Sequence, residues 1–465
     1  MNIFIHDDFL LRSGTARRLY HDYAANAPVI DYHCHLDPAD LAADRQYANI
    51  GQLWVTGDPY KHRAMRIAGV PECDITGDAS DRVKFDRWAA TVPMTLGNPL
   101  HHWTALELKR FFDIDEPLTP ATADRAWQVC NERLADGRYS ARGLLAQARV
   151  ECVCTSDRLL DDLAPHIALA GAGGGLRVLP SLRADDVVAV DSPDFAAWVR
   201  QLAVATGEGV ADYASYCAAV GRRLDEFSLA GCRLSDHGLD EFFHVKVSET
   251  EVAELFSYRL RGEMLTPAES AKLRFGLLRF LGREYARRGW VMQLHVGAHR
   301  RTSSRLRRLA GPAGGYAGIG RQCNVAALSS WLDELEELGG MPRTIIYPLN
   351  PADFVPVAVL AGSFVEDGVP GKLQLGPAWW FNDHASGMRA QFDAIANYGL
   401  LAVSMGMTTD ARCPLSMRRQ EYFRRIFCDW LGEQVQGGAV PANFDELGAL
   451  VRAVAGGNAR RFLSL

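Results

Sequence analysis

Short apolar runs that end in polar residues alternate along the chain with longer amphipathic stretches. A lead-in over 1–27 places Leu10, Leu11, Ala16, Leu19, Tyr20 and Ala24 at helical spacing. It is followed by Pro28-Val29-Ile30-Asp31-Tyr32-His33-Cys34-His35-Leu36, which reads as a buried parallel strand with polar groups at its end. Seven further segments repeat the pattern. These are 150–155 before Ser156-Asp157-Arg158, 176–182 before Arg183, 232–235 before Asp236-His237-Gly238, and 290–294 before His295. Next come 344–349 before Asn350, 372–377 before Ala378-Trp379-Trp380, and 401–405 leading to Thr408-Thr409-Asp410-Ala411-Arg412. Helical patterns, such as 325–338, 354–364, 388–398 and 417–430, separate most of them.

Eight strand–helix units predict an α/β fold, a (β/α)8 TIM-type barrel. A doubly wound open sheet fits less well, because no Gly-rich phosphate loop follows the first strand. The long gap between the first two strands holds helical patterns, Trp54, Trp88, Trp103, Trp127 and the loop Gly97-Asn98-Pro99-Leu100. It predicts a large, mostly helical insertion able to overhang the barrel mouth. The chain therefore divides into 1–36 (N-terminal helix and first strand), 37–147 (helical insertion) and 148–465 (the remaining barrel). A second long connection, about 184–231, also reads as helical, and the Gly-rich stretch 309–320 as a mobile loop near the mouth.

Composition narrows the partners. The 465 residues carry a formal net charge of −6 and no continuous Lys/Arg run, so nucleic acid is not expected. The first residues lack a basic, apolar leader, and no window offers the ~20 apolar residues of a membrane span. Ten cysteines occur without a CxxC pair, and Cys34, Cys152 and Cys154 fall inside apolar runs. Buried reduced thiols in a cytoplasmic protein, with a homo-oligomer as its assembly, are the expectation.

The sharpest chemical feature is His33-x-His35. Residues i and i+2 of a strand share a side, so two imidazoles face one space, as a divalent metal such as zinc requires. The plainer reading is a pair of histidines hydrogen-bonded at a strand end. His295 ending the fifth strand and Asp410 ending the eighth favour the metal. Asp410 with Arg412 serves as ligand, base or both, or is a surface ion pair. Arg183, Arg300 and Arg412 each follow a strand end, and guanidinium groups bind carboxylates bidentately. Trp379 and Trp380 fit a sugar face or the core equally well. His237 is either near the metal or structural. There is no HExxH helix and no GxSxG elbow.

HxH on strand one, His on strand five and Asp on strand eight resemble the amidohydrolase superfamily. Longer runs are similar to uronate isomerases: Asp31–Leu36 as quoted, Tyr60-Lys61-His62-Arg63-Ala64-Met65-Arg66 and Gly97-Asn98-Pro99-Leu100-His101-His102-Trp103. So are Ser235-Asp236-His237-Gly238, the stretch 290–298, Trp379-Trp380-Phe381-Asn382-Asp383, Thr409-Asp410-Ala411-Arg412, Glu421-Tyr422-Phe423-Arg424-Arg425 and Gly457-Asn458-Ala459-Arg460-Arg461-Phe462. The resemblance implies conversion of D-glucuronate to D-fructuronate and D-galacturonate to D-tagaturonate. It implies a divalent metal on His33, His35 and Asp410 with His295 nearby, zinc being the expected ion though not strictly required. It also implies Tyr60, Arg183, Arg412 and the Trp379-Trp380 pair around the sugar acid. Two stretches depart from the family pattern, His299-Arg300-Arg301-Thr302-Ser303 and Gly311-Pro312-Ala313-Gly314-Gly315-Tyr316.

Moving a carbonyl from C1 to C2 takes a proton from C2 and gives one to C1 through an enediolate. The expected roles are Asp410 in ring opening, Tyr60 with Arg412 at the C2 proton, and Arg183 or Arg300 on the carboxylate. The competing expectation is a metal-dependent, lactonase-like hydrolase of the same superfamily acting on a sugar acid.

Overall fold

The computed structural model describes residues 3–242, 244–312 and 314–465; Ala313, in the Gly-rich stretch, lies outside them. Seven of the apolar runs become parallel strands, each paired with the next in the chain. They are β1 (Val29–Cys34), β2 (Val150–Arg158), β3 (Arg177–Arg183), β4 (Leu234–Leu239), β5 (Val291–Val296), β6 (Arg343–Pro348) and β7 (Leu373–Leu375). Parallel neighbours need helical crossovers. Phe195–Thr206 with Tyr213–Leu229, Pro267–Arg287, Val325–Glu337 and Phe354–Ala361 supply those from β3 to β7. Every residue of β1 and β5 is buried, including the polar Asp31 and His33 of β1 and Gln293 and His295 of β5. Ile30, Tyr32, Cys152, Leu234, Ile345 and Tyr347 belong to one packed cluster that fills the sheet's concave side.

The eighth run fills its place in the barrel without becoming a strand. Leu401–Val403 form a 3-10 turn, and 404–411 run between β7 and β1 as irregular backbone. Gly406 takes φ +72°, and a Cβ there would stand 2.0 Å from the Val454 carbonyl oxygen. The peptide groups find other partners. Met405 N donates to Gln374 Oε1 (3.0 Å), Tyr32 OH to the Gly406 carbonyl (3.0 Å) and Gln420 Nε2 to the Met407 carbonyl (2.9 Å). Two backbone bonds, Asp410 N to His33 O (3.1 Å) and His35 N to Ala411 O (2.7 Å), close the ring against β1.

Between β1 and β2 the described chain is helical throughout its regular elements, including Pro59–Ile67, Asp81–Thr91 and Pro99–Phe112. Asp58 and Asn98 cap two of these helices, with proline at the first helical position. Trp54, Trp88 and Trp103 are buried here, and Trp127 half-buried. β4 runs on past the predicted 232–235 to include Asp236, His237 and Gly238.

Candidate active site

Strand register brings the polar ends together. Arg183 of β3 lies opposite Asp236 of β4, Gly238 opposite His295 of β5, and His295 opposite Tyr347 of β6. Arg183 and His295 line a cavity of about 430 Å³, as do Tyr60, His33, His35, Arg300, Trp379, Trp380, Asp410 and Arg412, the other site residues expected from the sequence. Tyr60 enters from the first turn of helix Pro59–Ile67, above the strand ends.

At one side sit the histidines. Asp410 Oδ1 is 2.9 Å from His35 Nε2 and 3.5 Å from His33 Nε2, and one ligand atom from each of the three lies within 4.8 Å of the others. His295 does not join this trio. It groups instead with His33 and Asp236 within the same distance limit, so His33 is shared by two possible ligand sets. Asp236 is the residue the sequence reading missed. It is fully buried and accepts from His295 Nδ1 (2.7 Å), Arg183 Nη1 (2.8 Å) and Ser156 Oγ (3.2 Å). Its neighbour His237 points to the opposite side of β4, with Nε2 3.1 Å from Tyr285 OH, and is structural. Strand parity was the available signal: Asp236 lies two residues before Gly238, on the side that faces the cavity.

This donor set fits a divalent metal. His33 Nδ1 and His295 Nε2 are buried and without a hydrogen-bond partner among the described residues. Burial pushes His35 down to about 4, so its ring is a free base at neutral pH. Burial opposes the charge on Asp410, yet bonds from His33 and His35 hold its carboxyl well below the usual range. Asp236 is likewise ionised against its burial, by Arg183 and then His295. Asp410 (φ +52°) and Trp380 (φ +53°) are left-handed non-glycine residues, a costly conformation that recurs at functional sites.

The opposite wall is cationic. Arg183 also donates to Asp185 (2.9 Å), and Arg300 pairs with Asp240. A Cβ on Gly238 would meet Arg183 Nη2 at 2.8 Å and Arg300 Nη2 at 3.1 Å, so both guanidinium groups lean over one bare α-carbon. Arg412 is exposed, with no hydrogen bond or ion pair among the described residues. The Tyr60 hydroxyl is buried without a hydrogen-bond partner among the described residues, and burial pushes its phenol well above the ordinary value. Trp379 is buried against the His295 ring (4.5 Å between centroids), while Trp380 is half-buried and stacked on Phe381 (4.7 Å). Arg419, which nothing in the sequence marked, lies buried 4.6 Å from the Tyr60 ring centroid and 3.8 Å from Asp383 Oδ2. Burial raises that Asp383 carboxyl to about 7, against the pull of Arg419.

Fold and site together define a barrel enzyme whose mouth gathers histidines, carboxylates and arginines around one small-molecule-sized cavity. The chain belongs to the glucuronate isomerase (UxaC) family, whose profile matches residues 1–463, and it is an isomerase. It is 44% identical over 462 residues to the uronate isomerase of Bacillus licheniformis, covering 99% of this chain and 98% of that one. It is 43% identical over 467 residues to the uronate isomerase of Serratia proteamaculans, covering 100% and 99%. Among solved structures, the uronate isomerase of Thermotoga maritima superposes with a TM-score of 0.93 at 29% identity, covering 99% of this chain and 100% of that one. The glucuronate isomerase of Caulobacter crescentus shares the fold, with a TM-score of 0.91 at 24% identity over 99% and 97%.

Proposed function

We propose that this isomerase interconverts D-glucuronate with D-fructuronate and D-galacturonate with D-tagaturonate, by proton transfer through an enediolate. One observation carries the reading. A single cavity has two guanidinium groups converging over Gly238 on one side and the His33, His35, Asp410 trio on the other. The substrate carboxylate lies between Arg183 and Arg300, and Trp379 and Trp380 border the sugar. His33, His35 and Asp410, with His295 beside them, would hold a divalent ion, zinc in our reading. When bound, such an ion supplies Lewis-acid polarisation of a substrate oxygen. Asp410 accepts the hydroxyl proton as the ring opens. Burial favours the protonated phenol of Tyr60 and Arg419 pulls the other way; with Arg412 at the mouth, the phenolate takes the C2 proton, exchanges it with solvent and delivers a proton to C1.

The helices of 37–147 act in this proposal as a subdomain that delivers Tyr60 to a barrel made of 1–36 and 148–465. Cytoplasmic location and homo-oligomeric assembly complete it. Incubating the purified protein with both hexuronates should yield the ketoses, with solvent deuterium at C1 when the reaction is run in deuterated water. No ketose from either acid defeats the substrate assignment; ketose without deuterium points to a hydride shift or a fully shielded proton shuttle, and an unchanged rate in Tyr60→Phe would then remove Tyr60 from the mechanism. Hydrolysis of a sugar lactone without ketose would favour the lactonase-like alternative. His33→Ala should drop bound zinc well below one equivalent by elemental analysis.

A further inference from the structure

Between β5 and β6 the chain leaves the barrel as a flap. At its base Ala298–His299 pairs antiparallel with Gly318–Ile319, and helix Ser304–Ala310 lies between these two short strands. The flap rests on the helix that carries Tyr60. Arg63 Nη1 donates to the Ala317 carbonyl (3.0 Å), Arg66 to the Gly314 carbonyl, and a Cβ on Gly315 would stand 2.3 Å from the Pro59 carbonyl oxygen. Arg300, Pro312, Gly315 and Ala317 line the catalytic cavity, so the flap is one wall of the mouth.

Its charge is one-sided. Arg300, Arg301, Arg305, Arg307, Arg308 and Arg321 occur with no Asp or Glu anywhere from 297 to 332, in a chain of net charge −6. Arg301, Arg305, Arg307 and Arg308 are exposed, with no side-chain hydrogen bond or ion pair among the described residues. Arg305 and Arg308 stand three apart on one short helix, where like charges destabilise. A second cavity of about 500 Å³ shares Asp185 and Arg300 with the catalytic one, and Arg301 and Arg307 line it. Of the acids there, Asp185 is bound by Arg183 and Asp240 by Arg300, which leaves Glu241 against two unpaired arginines. Ion pairing therefore does not account for these arginines, and folding gains nothing from their proximity.

We propose that the flap is an anion-recruiting wall. Arg301, Arg305, Arg307 and Arg308 raise the local concentration of an anionic sugar acid at the mouth and set the preference over neutral sugars, without touching the reacting atoms. The proposal rests on the anionic-substrate reading above. Its test is the full-length, metal-loaded enzyme with Arg305→Ser, Arg307→Ser and Arg308→Ser combined. D-Glucuronate turnover and calorimetric binding are measured from about 0.01 M to about 1 M salt, where the screening length falls from about 30 Å to about 3 Å. At low salt, kcat/KM and affinity should fall about five- to tenfold. The kcat should hold within about twofold, and variant and parent should converge at high salt. The neutral parent aldose should show no difference. Equal kcat/KM and affinity at low salt overturn the proposal. So does a loss that persists at high salt or falls on kcat, since the side chains would then act by contact. If the parent enzyme gives no ketose, the substrate reading fails, and the salt dependence of binding still decides the flap.

Discussion

Tyr60 presents a hydroxyl that is buried and has no hydrogen-bond partner among the described residues, an arrangement that does nothing for stability. Tyr60→Phe should accordingly leave the unfolding midpoint unchanged or slightly higher while kcat on uronates falls about 10²–10⁴-fold, the usual worth of a positioned acid–base group. A parallel loss of stability and activity would make Tyr60 a packing residue. Gly238 is a different kind of site residue, functional through what it lacks. Gly238→Ala sets a methyl group against Arg183 Nη2 and Arg300 Nη2, which must move apart. KM for the sugar acid should rise about tenfold, equivalent to about 1.4 kcal/mol, with kcat changed less. An unchanged KM would remove the two-arginine carboxylate seat. At this scale the sequence was most legible where identity and strand parity agreed, as in His33-x-His35. Asp236 escaped because its importance lies in its partners, Arg183 across one strand boundary and His295 across the next. Arg419 escaped because it reaches the site from the start of a late helix, with no motif to announce it.

Seven strands were readable because a parallel strand buried on both faces is a largely apolar run, here interrupted by a few buried polar side chains. The segment after residue 400 begins with such a run and nevertheless turns. Its partners are side chains from β1, β7 and the helix Arg419–Gln436, which no local pattern contains. Asp31 shows how this aims the ligand Asp410: buried on β1, it accepts from Thr409 N (3.0 Å) and from the Thr408 and Thr409 hydroxyls. Gly406 is the hinge of the arrangement, left-handed and pressed on the Val454 carbonyl. Gly406→Ala is expected to cost more than about 1 kcal/mol, since both the φ and the space exclude a side chain. Because 404–411 carries Asp410, activity and bound metal should fall with the melting temperature. A variant destabilised but fully active per folded molecule would show that the segment's path does not control the site.

A buried charged pair, Asp58 with Lys61, sits at the start of the helix that carries Tyr60. Asp58 caps the helix Pro59–Ile67, accepting from Tyr60 N (2.8 Å) and Lys61 N (3.3 Å), while its second oxygen lies 2.5 Å from Lys61 Nζ. The Lys61 ammonium sits 4.9 Å from the Trp54 ring centroid. Burial opposes the Asp58 charge, yet Lys61 and then Arg419, at the start of the helix Arg419–Gln436, hold its carboxyl at about 2. The folded value lies below the ordinary 3.8, so this group stabilises the protein fully above about pH 4. That contribution, of order 2–3 kcal/mol, is lost as pH falls from about 4 toward 2. Asp58→Asn keeps a capping oxygen but leaves Lys61 buried without its closest counter-charge, which typically costs about 3–5 kcal/mol. Urea midpoints of parent and variant should therefore differ most near neutral pH and draw together as pH falls from about 4 toward 2, where first the unfolded and then the folded parent's carboxyl becomes protonated. A gap that stays constant into acid would mean that lost packing, and not lost charge, separates the two proteins.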